Sequence, residues 1–245
     1  MPLLEVRELS KHFGGIKAVD ACSFSVEKGS ITALIGPNGA GKTTTFNLIS
    51  GVLRPDKGSV LFKGHETTTI RPNKVARLGL SRTFQITRAL AEMTVIENMA
   101  IYRLPKKPWD IFRLGVAPED RARAVELLGF LGMEKLAEEP AGSLSYGQRK
   151  LMELGAVLMS EPELIMLDEP AGGVNPALLE TIVDRIQALN KEGMTFLVVE
   201  HNMELVMSIS DPVVVMAFGQ VIATGSPEEV QKDQKVLDAY LGGAA

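Results

Sequence analysis

Residues 30–43 read Ser30-Ile31-Thr32-Ala33-Leu34-Ile35-Gly36-Pro37-Asn38-Gly39-Ala40-Gly41-Lys42-Thr43. The first six form a buried-strand pattern that runs straight into a glycine-rich turn. Residues 43–50 then read as a helix, closed by Gly51 in the position of a C-terminal glycine. Residues 36–43 fit G-x-x-x-x-G-K-[ST] at every position, and they lie after a strand and before a helix, as the pattern requires. Glycines allow the backbone to wrap closely around phosphates and aim its N–H groups inward. The helix adds its positive N-terminal end to the same anion site. Lys42 supplies a point charge for β and γ phosphates, and the Thr43 hydroxyl is suited to hold Mg²⁺. A chance glycine turn is the competing reading, and the complete match in its proper context weighs against it.

Outward from this loop, strands are predicted at residues 3–6, 21–26, 59–62, 164–167, 195–199 and 213–216, with residues 221–223 pairing with the last of these. Helical patterns cover about residues 95–131, broken at Leu104-Pro105 and Lys107-Pro108, then 146–160 and 176–190. Strands and helices alternate, which predicts an α/β fold with a mostly parallel sheet and helices on both faces.

Leu164-Ile165-Met166-Leu167 is an apolar run that ends in Asp168-Glu169. A buried strand that delivers two acids at its C-terminal edge puts them where α/β sheets bind ligands. Asp168 is the candidate metal acid. Glu169 is the candidate general base for an attacking water. An acidic strand end that merely caps the next element is the alternative, and the complete phosphate loop disfavours it.

The chain has 245 residues, 45% hydrophobic and 23% charged, which suits an ordinary soluble globular protein with one large domain or two tightly joined lobes. A net charge of −4 gives no basic bias toward nucleic acid. Cys22 is the single cysteine, so no disulfide forms within the chain and a reducing cytosol is expected. Residues 1–13 mix charges into their apolar positions, unlike a signal peptide. No apolar run approaches the roughly 20 residues that cross a bilayer. A membrane role is therefore expected to come through a partner.

Leu144-Ser145-Tyr146-Gly147-Gln148 precedes the Asp168 strand and resembles the LSGGQ signature of ABC ATPases. The resemblance covers nearly the whole chain. Gln85 in Thr83-Phe84-Gln85 looks like the Q-loop, Ala171-Gly172-Gly173-Val174-Asn175-Pro176 like the D-loop, and His201 in Glu200-His201-Asn202 like the switch histidine. Phe13 lies where the family places an aromatic that stacks on adenine. Tyr146 departs from the first glycine of the signature pair, and Asn175 stands where many members have Asp. Both departures resemble the branch that imports branched-chain amino acids, as does the tail Phe218-Gly219-Gln220-Val221-Ile222-Ala223-Thr224-Gly225. Within that branch the chain resembles the larger of the importer's two ATPases. Urea-import and lipopolysaccharide-export ATPases share much of the pattern and remain alternative cargoes.

The resemblance implies the ABC ATPase fold over residues 1–245. Its catalytic core lobe would comprise residues 1–85 and 161–245, with an N-terminal antiparallel β subdomain, and its helical signature lobe about residues 86–160. It implies ATP bound by Phe13, Gly36, Pro37, Asn38, Gly39, Ala40, Gly41, Lys42, Thr43 and Thr44. Ser145, Gly147 and Gln148 would cover the γ-phosphate held by a second ATPase subunit, self or paralogue, in a head-to-tail dimer. Mg²⁺ would be met by Thr43, Gln85 and Asp168, and Glu169, His201 and Lys42 would carry the catalysis. Transmembrane permease subunits and, indirectly, a periplasmic substrate-binding protein complete the implied partners, with no nucleic acid. The implied location is the cytoplasmic face of the membrane, held through the permease.

Simpler readings remain for single residues. Ser145 could be a plain helix N-cap, Phe13 could be core packing, and Gln85 and His201 could be ordinary polar residues. Two other functions are weighed. Soluble ABC ATPases of DNA repair or translation usually carry long coiled coils or two fused cassettes, and this chain has neither. A binding-only, degenerate ATPase is opposed by intact Lys42, Asp168, Glu169 and His201.

Overall fold

The computed structural model describes residues 2–83, 89–103 and 115–241. Two long strands open the chain, β1 (Pro2–Phe13) and β2 (Ile16–Glu27), followed by β3 (Ile31–Ile35) and α1 (Lys42–Ile49). Next come β4 (Lys57–Phe62), β5 (His65–Glu66), α2 (Pro72–Arg77) and β6 (Leu80–Arg82). Helices α3 (Val95–Ala100), α4 (Pro118–Phe130) and α5 (Tyr146–Leu158) lead to β7 (Leu164–Asp168). The chain then alternates through α6 (Pro176–Lys191), β8 (Thr195–Val199), α7 (Met203–Ile209), β9 (Val213–Ala217) and β10 (Gln220–Gly225), and finishes with α8 (Pro227–Lys232) and α9 (Gln234–Leu241).

Among the described residues the strands make two sheets. A four-stranded antiparallel sheet has the order β2-β1-β4-β5, and a six-stranded sheet has the order β10-β9-β3-β8-β7-β6. In the larger sheet the pairs β3–β8, β3–β9, β7–β8 and β6–β7 are parallel, and only β9–β10 is antiparallel. The central strands are buried on both faces, as parallel strands require. Alternate residues serve different cores because strand side chains have a period of two. Ile165, Leu167, Phe196 and Val198 pack with α3, α4 and α5. Leu164, Met166, Leu197 and Val199 pack toward α1 and the antiparallel sheet. A third cluster joins Ala33, Ile35, Val213 and Val215 to α7, α8 and α9.

The first strand is far longer than residues 3–6, and a bulge explains the difference. Glu8 has φ +47°, and its N–H donates to Ser23 Oγ at 2.8 Å. The register shifts between Val6 and Leu9, so the alternation changes phase there. The short elements β5, β6, α2 and α8 carry too few apolar positions to show a period, and α7 and α9 span only about two turns each. α2 buries only Val75, and α9 buries only Val236. The helix breaks expected at Leu104-Pro105 and Lys107-Pro108, and the lobe boundary expected at residue 86, lie outside the described residues. No helix among the described residues is long and apolar enough to cross a membrane.

Candidate active site

The phosphate loop leaves the C-terminal end of β3, at the middle of the larger sheet. Gly36 has φ +149°, and a Cβ there would lie 2.1 Å from the Met216 carbonyl oxygen. Gly41 has φ +100°, and a Cβ there would lie 2.4 Å from the Ala18 carbonyl oxygen. Neighbouring backbone therefore excludes any side chain at these two positions, which is why the loop needs glycine. Ala40 is buried against the core, while Asn38 and Gly39 are exposed and Pro37 is partly so. Gly41 is the N-cap of α1 and makes no side-chain cap bond. The N–H groups of the first turn, which includes Lys42, Thr43 and Thr44, thus keep the anion-binding character of a helix N-terminus. The Lys42 ammonium is folded into the loop, donating to Gly36 O at 2.7 Å and Pro37 O at 3.1 Å. Burial holds its pKa below the usual lysine range, and the carboxylates of Glu169 and Asp168 oppose that shift. Both acids are thereby placed within electrostatic reach of the loop.

Asp168 is the last residue of β7, and its Oδ2 accepts Arg82 Nη2 at 2.7 Å in a pair whose side chains are 2% and 8% exposed. Arg82 belongs to none of the sequence motifs. It sits at the end of β6, parallel to β7 and opposite Met166. Its other nitrogen, Nη1, donates to Asn47 Oδ1 at 2.7 Å and Ser50 Oγ at 3.3 Å, and its guanidinium lies 5.4 Å from the Phe46 ring centroid. One buried cation thus ties Asp168 to the phosphate-loop helix. Asp168 N–H also points to Thr83 Oγ1 at 3.4 Å. The expected Gln85 lies two residues further on, outside the described residues.

Glu169 adopts φ +50°, a region that a non-glycine residue rarely occupies and that tends to mark functional sites. Its N–H donates to Val199 O at 2.9 Å, and its carbonyl oxygen accepts Lys150 Nζ at 2.7 Å. Lys150 comes from α5 and also reaches Pro170 O at 3.2 Å. Its pKa is lowered by burial against the pull of nearby carboxylates. The Glu169 Oε1 and His201 Nδ1 atoms lie 3.9 Å apart. The His201 side chain is 64% exposed, so it is no core residue.

Ser145 is the N-cap of α5 in a reciprocal capping box. Its Oγ accepts Gln148 N–H at 3.2 Å, and Gln148 Oε1 accepts Ser145 N–H at 2.9 Å. The simpler reading of Ser145 therefore holds, and it is compatible with a second role because the cap fixes where the hydroxyl points. Gly147 packs so tightly that a Cβ would lie 1.8 Å from Leu178 Cδ2 on α6. Asn175 caps α6 by accepting Leu178 N–H at 2.9 Å, a bond that needs an oxygen and no charge. Among the described residues no hydrogen bond joins residues 145–148 to residues 36–44. Phe13 ends β1 at the Gly14-Gly15 turn and is 47% exposed, so core packing does not account for it. The Lys11 ammonium lies 5.8 Å from its ring centroid.

Residues 19–172 match the family model described as ABC transporter. This chain belongs to the ABC transporter family. As a member of it, the chain is an ATPase. A second model, described as branched-chain amino acid ATP-binding cassette transporter, matches residues 220–245 of the cassette. A probable branched-chain amino acid transport ATP-binding protein LivG of Archaeoglobus fulgidus is 41% identical over 251 residues, covering 99% of this chain and 96% of the relative. The high-affinity branched-chain amino acid transport ATP-binding protein BraF of Pseudomonas aeruginosa is 37% identical, with 99% of each chain covered. A solved ADP conformation of an ATP-binding cassette of an ABC transporter superposes with a TM-score of 0.89, 38% identity and 99% of each chain covered. A nucleotide-free cassette from an ABC transporter gives 0.88, at 38% identity, covering 98% of this chain and 99% of the other. This ABC transporter ATPase therefore carries its phosphate loop, paired acids and signature segment on the fold those structures share.

Proposed function

We propose that this chain powers the import of branched-chain amino acids by binding and hydrolysing ATP, paired head-to-tail with a second ATPase subunit on a membrane permease. The observation that carries the chemistry is the convergence of Lys42, Asp168, Glu169 and His201 at one edge of the parallel sheet. The cargo rests on the relatives' names and on the match of residues 220–245.

In this reading residues 36–44 cradle the phosphates, and Lys42 exchanges its two loop carbonyls for β and γ oxygens. Thr43, Asp168 and Gln85 would be the residues that hold Mg²⁺. The donor set suits that ion. A hard cation that keeps several waters and takes phosphate oxygens needs few protein oxygens. Among the described residues, no three His, Cys, Asp or Glu side chains are grouped to hold a metal by themselves. Arg82 donates to Oδ2 of Asp168, which fixes the position of this carboxylate. Mg²⁺ would neutralise charge on the β and γ oxygens. Glu169 orients the attacking water in line with the γ-phosphorus and takes its proton, and His201 holds the γ-phosphate. Ser145, Gly147 and Gln148 cap the γ-phosphate of the partner's nucleotide. The helical lobe, about residues 86–160, would meet the permease, with a periplasmic binding protein delivering cargo on the far side.

The cargo is tested by reconstituting the chain with its cognate ATPase partner, permease and binding protein in proteoliposomes. Leucine, isoleucine or valine is expected to stimulate ATP hydrolysis and to accumulate inside. Stimulation by urea or a short amide, with none by branched-chain amino acids, would replace the cargo and leave the ATPase reading intact.

Phe13 supplies one stacking face for adenine. Phe13→Ala is expected to weaken ATP binding by about 1 kcal/mol, roughly fivefold in Kd, while Phe13→Tyr stays near the parent. Titration with a fluorescent ATP analogue measures both. Equal affinity in all three proteins would remove Phe13 from the site.

A further inference from the structure

Glu200 follows β8 directly, and its carboxylate is fully buried, yet no step of the hydrolysis uses it. Its Oε1 accepts the N–H of Ala171 at 2.7 Å. Its Oε2 accepts the N–H groups of His201 at 2.9 Å and Asn202 at 3.0 Å. These donors belong to two different loops. Ala171 opens the segment after Glu169, which ends at Asn175, the N-cap of α6. His201 and Asn202 open the segment after β8, which ends in α7.

The sheet explains why a side chain is needed there. β7 and β8 run parallel, with Asp168 opposite Val199. The last backbone bond between them is Glu169 N–H to Val199 O. Beyond it the two chains diverge, and the Glu200 carboxylate spans the gap by supplying acceptors to both. An apolar residue at this position would leave three buried or half-buried N–H groups without acceptors. Burying a carboxylate is tolerated because all three bonds are made. Glu200 is also the first of the carboxylates that oppose the burial-driven drop in the pKa of Lys150, the cation holding the Glu169 and Pro170 carbonyls.

We infer that Glu200 is a positioning residue that makes the Ala171 segment and the His201 segment move as one body. It thereby preserves the 3.9 Å approach of Glu169 and His201. The inference rests on the proposed roles of Glu169 and His201, and its test separates the two.

The test is Glu200→Gln in the assembled transporter. The amide is isosteric but has one acceptor oxygen, so either Ala171 or the His201–Asn202 pair must face an NH₂ group. Turnover is expected to fall about 10- to 100-fold, as for small misplacements of reacting groups, while ATP affinity stays within about twofold. Amide hydrogen exchange should quicken at Ala171 or at His201 and Asn202, and stay unchanged at Val198. Glu200→Gln added to His201→Ala should cost no more than His201→Ala alone, because both act on the same group. Should the amide variant not fold, Glu200→Asp gives the same reading, since it keeps the charge but withdraws the oxygens by one methylene. Parental turnover in Glu200→Gln, equal losses of affinity and turnover, or a full additive loss on the His201→Ala background would overturn the inference. Parental turnover in His201→Ala alone would instead overturn the role given to His201, and with it this inference's premise.

Discussion

Glu169→Gln is expected to lower ATP turnover by about 10²- to 10⁴-fold while leaving ATP binding intact. The backbone of Glu169 is pinned by Val199 O on one side and Lys150 on the other, so the side chain has a defined origin. Asp168 is held by Arg82 and is proposed for the metal, which leaves Glu169 as the proposed base. The substitution keeps size and hydrogen bonding but removes the proposed base. Lys42, Thr43 and Asp168 are untouched, so ATP still binds and its γ-phosphate persists. In the proposed head-to-tail dimer that phosphate would be shared by one chain's phosphate loop and the other chain's residues 145–148. The variant should therefore form an ATP-dependent dimer, with itself or with its paralogue. Adding Ser145→Arg should abolish the dimer, because it removes the capping box and places bulk and charge in the seam. Size-exclusion chromatography with and without ATP, beside a phosphate-release assay with the partner present, measures both effects. Parental turnover would assign the water to another residue. An inactive variant that stays monomeric with ATP and partner would rule out the head-to-tail arrangement.

Lys42→Ala is expected to weaken MgATP binding by about 2–5 kcal/mol, roughly 30- to several thousand-fold in Kd, as for loss of one partner from a desolvated charge pair. The ammonium sits inside the loop between two carbonyls, half-buried. Its pKa is depressed by burial, which marks a charge poorly solvated by water. In the proposed site phosphate oxygens would relieve that condition, so a large loss of affinity is expected. Alanine leaves the loop backbone in place, since Gly36 and Gly41 are fixed by their approach to Met216 and Ala18. The fold should survive with a melting temperature close to the parent's. Calorimetric titration of the purified chain with MgATP checks the prediction. Unchanged affinity in a folded variant would remove Lys42 from the phosphate site.

The sequence makes some parts of this site legible and hides others for physical reasons. A phosphate loop is read easily because local backbone geometry demands glycine and because its ligands lie within a few residues of one another. The Asp168-Glu169 pair is legible because the apolar run before it reads as a buried strand and the complete phosphate loop disfavours a mere capping role for its acids. Arg82 and Glu200 were not legible. Arg82 lies in a three-residue edge strand with no period of its own, and its partners Asn47 and Asp168 are far away in the chain. Glu200 looks like a polar neighbour of His201, and its burial arises only when β8 is enclosed by the sheet. The strand before Phe13 was read short because the bulge at Glu8 inverts the alternation.

By itself the sequence determined the chemistry that short stretches impose: the cradle of residues 36–43, the acids at 168 and 169, and the α/β alternation that places both at strand ends. It did so because these depend on residue type and local spacing. Tertiary structure alone decided which distant groups share the site. The parallel pairing of β7 with β8 sets Glu169 beside His201, and the pairing of β6 with β7 brings Arg82 to Asp168. Packing of α5 on the sheet carries Lys150 to the carbonyls of Glu169 and Pro170. Such contacts join residues tens of positions apart, and their energies depend on burial that no local pattern encodes.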